Sequence, residues 1–207
     1  GEYEEGVRFE SEYDGQGNPL VASLSLVGRC NSMVTITGTA DYAYFESVAY
    51  FTSLMDISVR DVRFAGSHNG LVVAAASVSL SRVSIEGHRD FAILHRGSFA
   101  SLTATDVLVA HTSSGLGDAP SRGIEMAYGS TLNLDRVAFV GNDEALWAAD
   151  LEDATLCQGN RYGLDQIREQ VVNADRLCID LDPAWCDHDR EPVDQRFDHL
   201  EGEAACA

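Results

Sequence analysis

His88, Asp90, His95, Arg122 and Glu125 fall in two short stretches, "HRDFAILHR" and "SRGIEMA", and a third stretch, "NDEALWAA", adds Glu144. Their types suit work on an acidic glycan. Cleaving a glycosidic bond takes two carboxyl groups about 5–9.5 Å apart. Asp90 with Glu125 is one such pair, and Glu144 is the other candidate. A lyase needs a base beside the substrate carboxylate, a role open to His88 or Arg122. Binding without cleavage asks less: Arg89, Arg96 and Arg122 can grip uronate carboxylates through two parallel hydrogen bonds, with Tyr42, Tyr44 and Tyr128 as flat faces. The competing reading is that these are solvent-facing turns, polar because Asn, Asp, Gly and Ser satisfy turn geometry. No Ser-His-Asp grouping and no nucleotide-binding glycine loop stands out. No cofactor or metal is expected. Asp187, His188 and Asp189 are adjacent in sequence, and adjacent residues of regular structure do not point the same way.

What would position these residues is a repeat. Val34/Ile36, Val62/Phe64, Val83/Ile85, Val107/Val109 and Val137/Phe139 are equivalent pairs, separated by steps of 28, 21, 24 and 30 residues. A second alternating pair precedes each later copy: Ile57/Val59, Val78/Leu80, Leu102/Ala104 and Leu132/Leu134. After a polar turn, a third strand opens the next copy, at "GLVVA", "FAILH", "GIEMA" and "ALWAA". Three short period-two strands per copy read as a solenoid, whose stacked turns share one apolar core. The inward set includes Leu71, Val73, Phe91, Ile93, Ile124 and Met126, and Phe99 is expected to fill the space beside Ala104. Asp61, Arg82, Asp106 and Arg136 precede the repeated valine with alternating sign, which predicts a stacked ladder of opposite charges. The longest step holds the insertion "HTSSGLGDAPSR", with His111 and Asp118, beside the polar turns.

The units "NGLVV", "SRGIEM" and "DEALW", followed by "VSIEG", "VLVAH" and "VAFVGN", resemble the right-handed parallel β-helix superfamily that includes pectate lyases and polygalacturonases. The resemblance covers about residues 20–160 and implies an all-β, right-handed parallel β-helix solenoid of about five coils. It does not extend to activity. The paired aspartates after "NTD", and the "DD", "GHG" and "RIK" segments of the hydrolase members, are missing, and the chain has no lysine. The expectation is an exported or cell-surface module, extracellular, either structural or binding an extended polysaccharide across His88, Asp90, His95, Arg122 and Glu125. The alternative is a lyase or glycoside hydrolase acting on an acidic glycan.

Composition bounds the partners. The 207 residues carry a net charge of −19, and all 14 basic residues are arginine. That balance opposes nucleic acid and anionic membrane surfaces. Adaptation to high salt would produce the same balance. Residues 1–18 hold six acids against Arg8, and residues 150–207 hold fifteen against five arginines, so the excess sits at the ends. No apolar run is long enough for a membrane span, and no signal-peptide pattern follows Gly1. A chain beginning without Met fits a fragment of a larger surface protein with further domains. The organisation expected is a cap or linker at 1–18, the β-helix at 19–160, and an acidic C-terminal extension at 161–207, helical around Leu164, Ile167, Val171 and Val172 or else disordered. Cys178 and Cys186 either close a short disulfide loop or remain separate thiols.

Overall fold

A computed structural model of the chain describes residues 2–3, 7–10, 14–16, 23–29, 34–38, 47–52, 56–66, 68–97, 101–113, 121–127, 130–149 and 153–158. The expected helix, Cys178 and Cys186, the Asp187–Asp189 group, Asp118, Phe99, Tyr42, Tyr44 and Tyr128 lie outside the described residues. The strands are β1 (Glu2–Tyr3), β2 (Val7–Glu10), β3 (Ser23–Val27), β4 (Thr35–Thr37), β5 (Ser47–Thr52), β6 (Asp56–Arg60), β7 (Arg63–Ala65), β8 (Asn69–Ala74), β9 (Ser77–Glu86), β10 (Phe91–Arg96), β11 (Ser101–Ala110), β12 (Arg122–Ala127), β13 (Thr131–Val140), β14 (Glu144–Ala149) and β15 (Asp153–Gln158). Among the described residues there is no helix, and every strand pairing is parallel.

The strands fall into two sheets. One runs β14-β12-β10-β8-β5-β2, and the other β1-β4-β7-β9-β11-β13-β15, with β3 and β6 paired beside it. From β8 onward the chain alternates between them, so each repeat adds one strand to each sheet. Equivalent residues become neighbours: Val83 pairs Val107, which pairs Val137, and Ile85, Val109 and Phe139 follow in the same register. Ile36 pairs Phe64, which pairs Ile85, extending the column toward the N-terminus. The repeat alignment read from the sequence is the observed register. The N-terminal fragment around Val7 and Phe9 forms an edge strand on β5.

One difference concerns the corner inside each repeat. Two separate short strands were expected, but β9, β11 and β13 are continuous ten-residue strands. Each bends at a single left-handed residue, Arg82 (φ 52°), Asp106 (φ 55°) or Arg136 (φ 52°), and Asp61 (φ 58°) makes the same turn between β6 and β7. This conformation costs an L-residue about 1–2 kcal/mol, and glycine is the usual occupant. Here charged side chains occupy it and pair across the repeats. Arg82 reaches Asp61 through two bonds of 2.6 and 2.7 Å, and Arg136 reaches Asp106 at 2.6 and 3.0 Å. The hydrogen bond to Asp61 raises the Arg82 pKa. Asp61 with Arg82, and Asp106 with Arg136, pair across repeats with the alternating sign the ladder predicted.

Among the described residues the main apolar cluster lies inside, with Phe51, Phe64, Leu71, Leu80, Ile85 and Ile93 fully buried, and a smaller one joins Leu108, Ala110 and Ala138. A further buried column was not foreseen: Val48, Gly70, Ala92, Gly123 and Ala145, one residue into each third strand. The residues are small because two walls converge there. A Cβ on Gly70 would lie 2.4 Å from the Ala92 carbonyl oxygen and 2.7 Å from Ile85 Cγ2. Phe91, expected inside, is half-buried at the first position of its strand.

Candidate functional site

The polar turns before the third strands stack on one another, as the repeat predicts. The His68 carbonyl accepts the amides of Arg89 (3.1 Å) and Asp90 (2.9 Å). Arg122 then donates its amide to the Asp90 carbonyl, and Glu144 to the Ser121 carbonyl, both at 2.9 Å. The insertion leaves this corner between Ser113 and Ser121. Its two ends are tied down separately: Ser113 donates to the His88 carbonyl (3.1 Å), and the Ser121 amide donates to Asp143 Oδ2 (3.2 Å). Asn142 is buried at the same corner, accepting the Thr112 amide through Oδ1 (3.0 Å) and donating through Nδ2 to the Val109 carbonyl (2.9 Å). The turns are therefore held by their own polar groups.

The five residues singled out by the sequence do not share one surface. His95 is completely buried, in register with Val73 on one side and Met126 on the other. It occupies the core column one step beyond Ile93. Burial pushes its pKa down to about 4, with the backbone of Ser101 pulling weakly the other way, so the ring is neutral at neutral pH. His88 is 1% exposed, and its Nε2 would stand 2.9 Å from a Cβ placed on Gly70, which puts the ring inside the corner. Neither imidazole reaches solvent. Both occupy interior positions.

Asp90 remains at the surface, its Oδ2 3.5 Å from His68 Nδ1. It does not meet Glu125. Asp90 precedes Phe91, which pairs Arg122, whereas Glu125 pairs Leu94, four residues farther along the strand than Asp90. At a rise of about 3.3 Å per residue, that offset is about 13 Å, beyond the span of a glycosidase pair.

Glu125 and Glu144 do come together, through Arg122. Arg122 Nη1 pairs with Glu125 Oε2, and Arg122 Nε donates to Glu144 Oε2 at 2.9 Å. The other oxygen of Glu125 accepts Arg96 Nη2 at 2.8 Å. The Arg122 guanidinium also lies over the Trp147 ring, 4.6 Å from its centroid. The cluster balances two arginines against two glutamates, and the glutamate side chains are only 5% and 4% exposed. Charges so far from water are sustained only when paired. Both oxygens of Glu125 are engaged by guanidinium groups. The arrangement ties together three neighbouring strands: β10 through Arg96, β12 through Arg122 and Glu125, and β14 through Glu144.

Sequence reasoning named Arg122, Glu125, Arg96 and Glu144 but missed that they form one network, and it missed Trp147. The signal was there: Arg122 and Glu125 lie three apart, and "NDEALW" puts Glu144 opposite Arg122 and Trp147 opposite Glu125 once the third strands are aligned. Among the described residues, no three His, Cys, Asp or Glu side chains converge as a metal site, and no helix is long and apolar enough to cross a membrane. No family model matches the chain, and neither a curated protein nor a solved structure matches it at a significant level.

Proposed function

We propose that this chain is a non-catalytic, extracellular or cell-surface module built as a right-handed parallel β-helix of about five coils. In this reading it is structural, or it offers the wall around Arg96, Arg122 and Trp147 to an extended acidic polysaccharide. The observation that carries the non-catalytic reading is the state of Glu125 and Glu144, held by arginine rather than left open to substrate. Arg96 is 49% exposed in this wall, with Trp147 half-buried against Arg122, and Asp90, at 45%, lies farther along it. An arginine next to an indole suits a sugar carboxylate and a sugar face together. The net charge of −19 opposes long-range capture of a polyanion, so binding is expected to be weak and to depend on close arginine contacts. The parallel pairing of equivalent strands supports the coil; the outside location rests on the superfamily resemblance.

A glycan array read by mass spectrometry tests binding and cleavage on the same substrates. The expected result is retention of uronate-bearing glycans, or of none, with no new products. Cleavage that disappears in Glu125→Gln would overturn the reading and restore the enzyme.

A further inference from the structure

The strand segments before the charged corner carry a different surface, on the far side of Arg82 from the polar turns. In β9, Val78 and Leu80 face inward, and Ser77, Ser79 and Ser81 alternate outward. The same alternation holds in β11 and β13 around Leu102/Ala104 and Leu132/Leu134, and in β6 around Ile57/Val59. Register carries the outward residues into three columns. The middle column reads Ser25, Ser58, Ser79, Thr103 and Asn133. Ser77, Ser101 and Thr131 line up on one side of it, and Ser81 and Thr105 on the other.

Two features set this face apart. Over β3, β6, β9, β11 and β13, ten of the fifteen outward positions are serine or threonine. In the central block of β9, β11 and β13, eight of nine are neutral, Asp135 at the margin being the exception, and none is aromatic. All nine reach solvent. In a chain of net charge −19, a solvent-facing sheet would ordinarily carry many ionised side chains. Their exclusion here leaves only short groups close to the backbone.

Those hydroxyls stand at a fixed pitch, about 4.8 Å across the strands and about 6.6 Å along them. Each can donate and accept, and the threonines are stiff at χ1. A single hydroxyl gains little from a soluble ligand, since each new bond replaces one to water. A ligand with its own two-dimensional repeat engages many at once and gains by multivalency. Solid sugar polymers are one such ligand, but gripping them calls for aromatic platforms, and this block has none. Water in its crystalline form is the other: its oxygens repeat on a comparable scale and bond to donors and acceptors alike. Strongly hydrated ions would disrupt that order, which fits their exclusion. We propose that the outward face of β9, β11 and β13 binds ice, with Asp56 and Arg60 of β6 forming its charged margin. This face holds neither Arg122 nor Glu125, so the inference stands apart from the glycan reading.

The test uses the full chain in an ice-growth assay that reads crystal shape and thermal hysteresis. Wild type is expected to facet growing crystals and to separate melting from freezing. Thr103→Lys and Ser79→Tyr, at the centre of the array, are expected to abolish both while leaving the unfolding midpoint near wild type, and Arg89→Ala, off the face, to change neither. Two substitutions guard against one failing to fold. Unfaceted crystals with no hysteresis in wild type would overturn the proposal, as would full activity in both central variants. Adsorption to microcrystalline cellulose or chitin instead of ice, lost in Thr103→Lys, would assign the array to a polymer surface and equally overturn it.

Discussion

Two ion pairs sit in different surroundings: Arg82 with Asp61, two-pronged at 2.6 and 2.7 Å, on the outer corner, and Arg122 with Glu144, a single bond of 2.9 Å, in the wall beside Trp147. Arg82 and Asp61 are 43% and 14% exposed, whereas Arg122 and Glu144 are 22% and 4% exposed. Both cross from one repeat to the next. Water competes for the first pair and screens it; the second has little water to return to if its partner is lost. The shorter, two-pronged pair is therefore not the stronger one. The corner ladder chiefly sets which repeat lies beside which, since shifting it would bring like charges together. The buried network holds its charges because neither sign can stand alone there.

Breaking the buried side should have the largest effect. Arg122→Ala would strand Glu144 away from solvent and leave Glu125 to Arg96 alone, with a cost of about 3–5 kcal/mol in denaturant unfolding. A loss as small as that of a surface pair would mean that the wall opens to water.

Acid probes the interior without mutation. With the His95 pKa lowered to about 4 in the fold, against about 6.5 in the unfolded chain, the unfolded state takes up the proton first as pH falls. The contribution is complete above about pH 6.5 and is lost progressively down to about pH 4, by roughly 3 kcal/mol. His95→Met, matching Met126 in its column, should flatten this part of the stability profile relative to wild type. Parallel profiles would show that the imidazole is not held neutral.

The smallest effect belongs to the ladder. Arg82→Glu should destabilise by about 1 kcal/mol or less, with part of the loss recovered in high salt, where the new repulsion is screened. A salt-independent loss would point instead to the left-handed backbone at this position.

Much of this was legible in the sequence, and the reason differs by region. The valine columns were readable because period-two alternation recurs at matched offsets, and one register satisfies all of them. The ladder was readable because alternating signs make sense only if the residues stack. The bend at Arg82 was hidden, since no glycine or proline marks it; tertiary pairing supports a conformation that local preference opposes. The interior place of His95 was masked by its chemical type. Its parity with Ile93 already placed it on the inward face, and a neutral imidazole can be sheltered there as an aliphatic residue is. The Arg122 network needed cross-repeat register to be seen, because its partners lie 3, 22 and, through Glu125 to Arg96, 29 residues apart. The small column at Gly70 and Gly123 follows from two walls converging, which no single repeat reveals.

The central claim is that the acids of the candidate site serve the fold. Paired double-mutant cycles, Arg122/Glu144 against Arg82/Asp61, test it most directly, read by denaturant unfolding at low and high salt. The account predicts a coupling for the buried pair of about 2 kcal/mol or more that persists in high salt, beside about 1 kcal/mol or less, reduced by salt, for the corner pair. Equal couplings that fall together with salt would contradict it, and would return Glu144 and Glu125 to the list of groups free to meet a substrate.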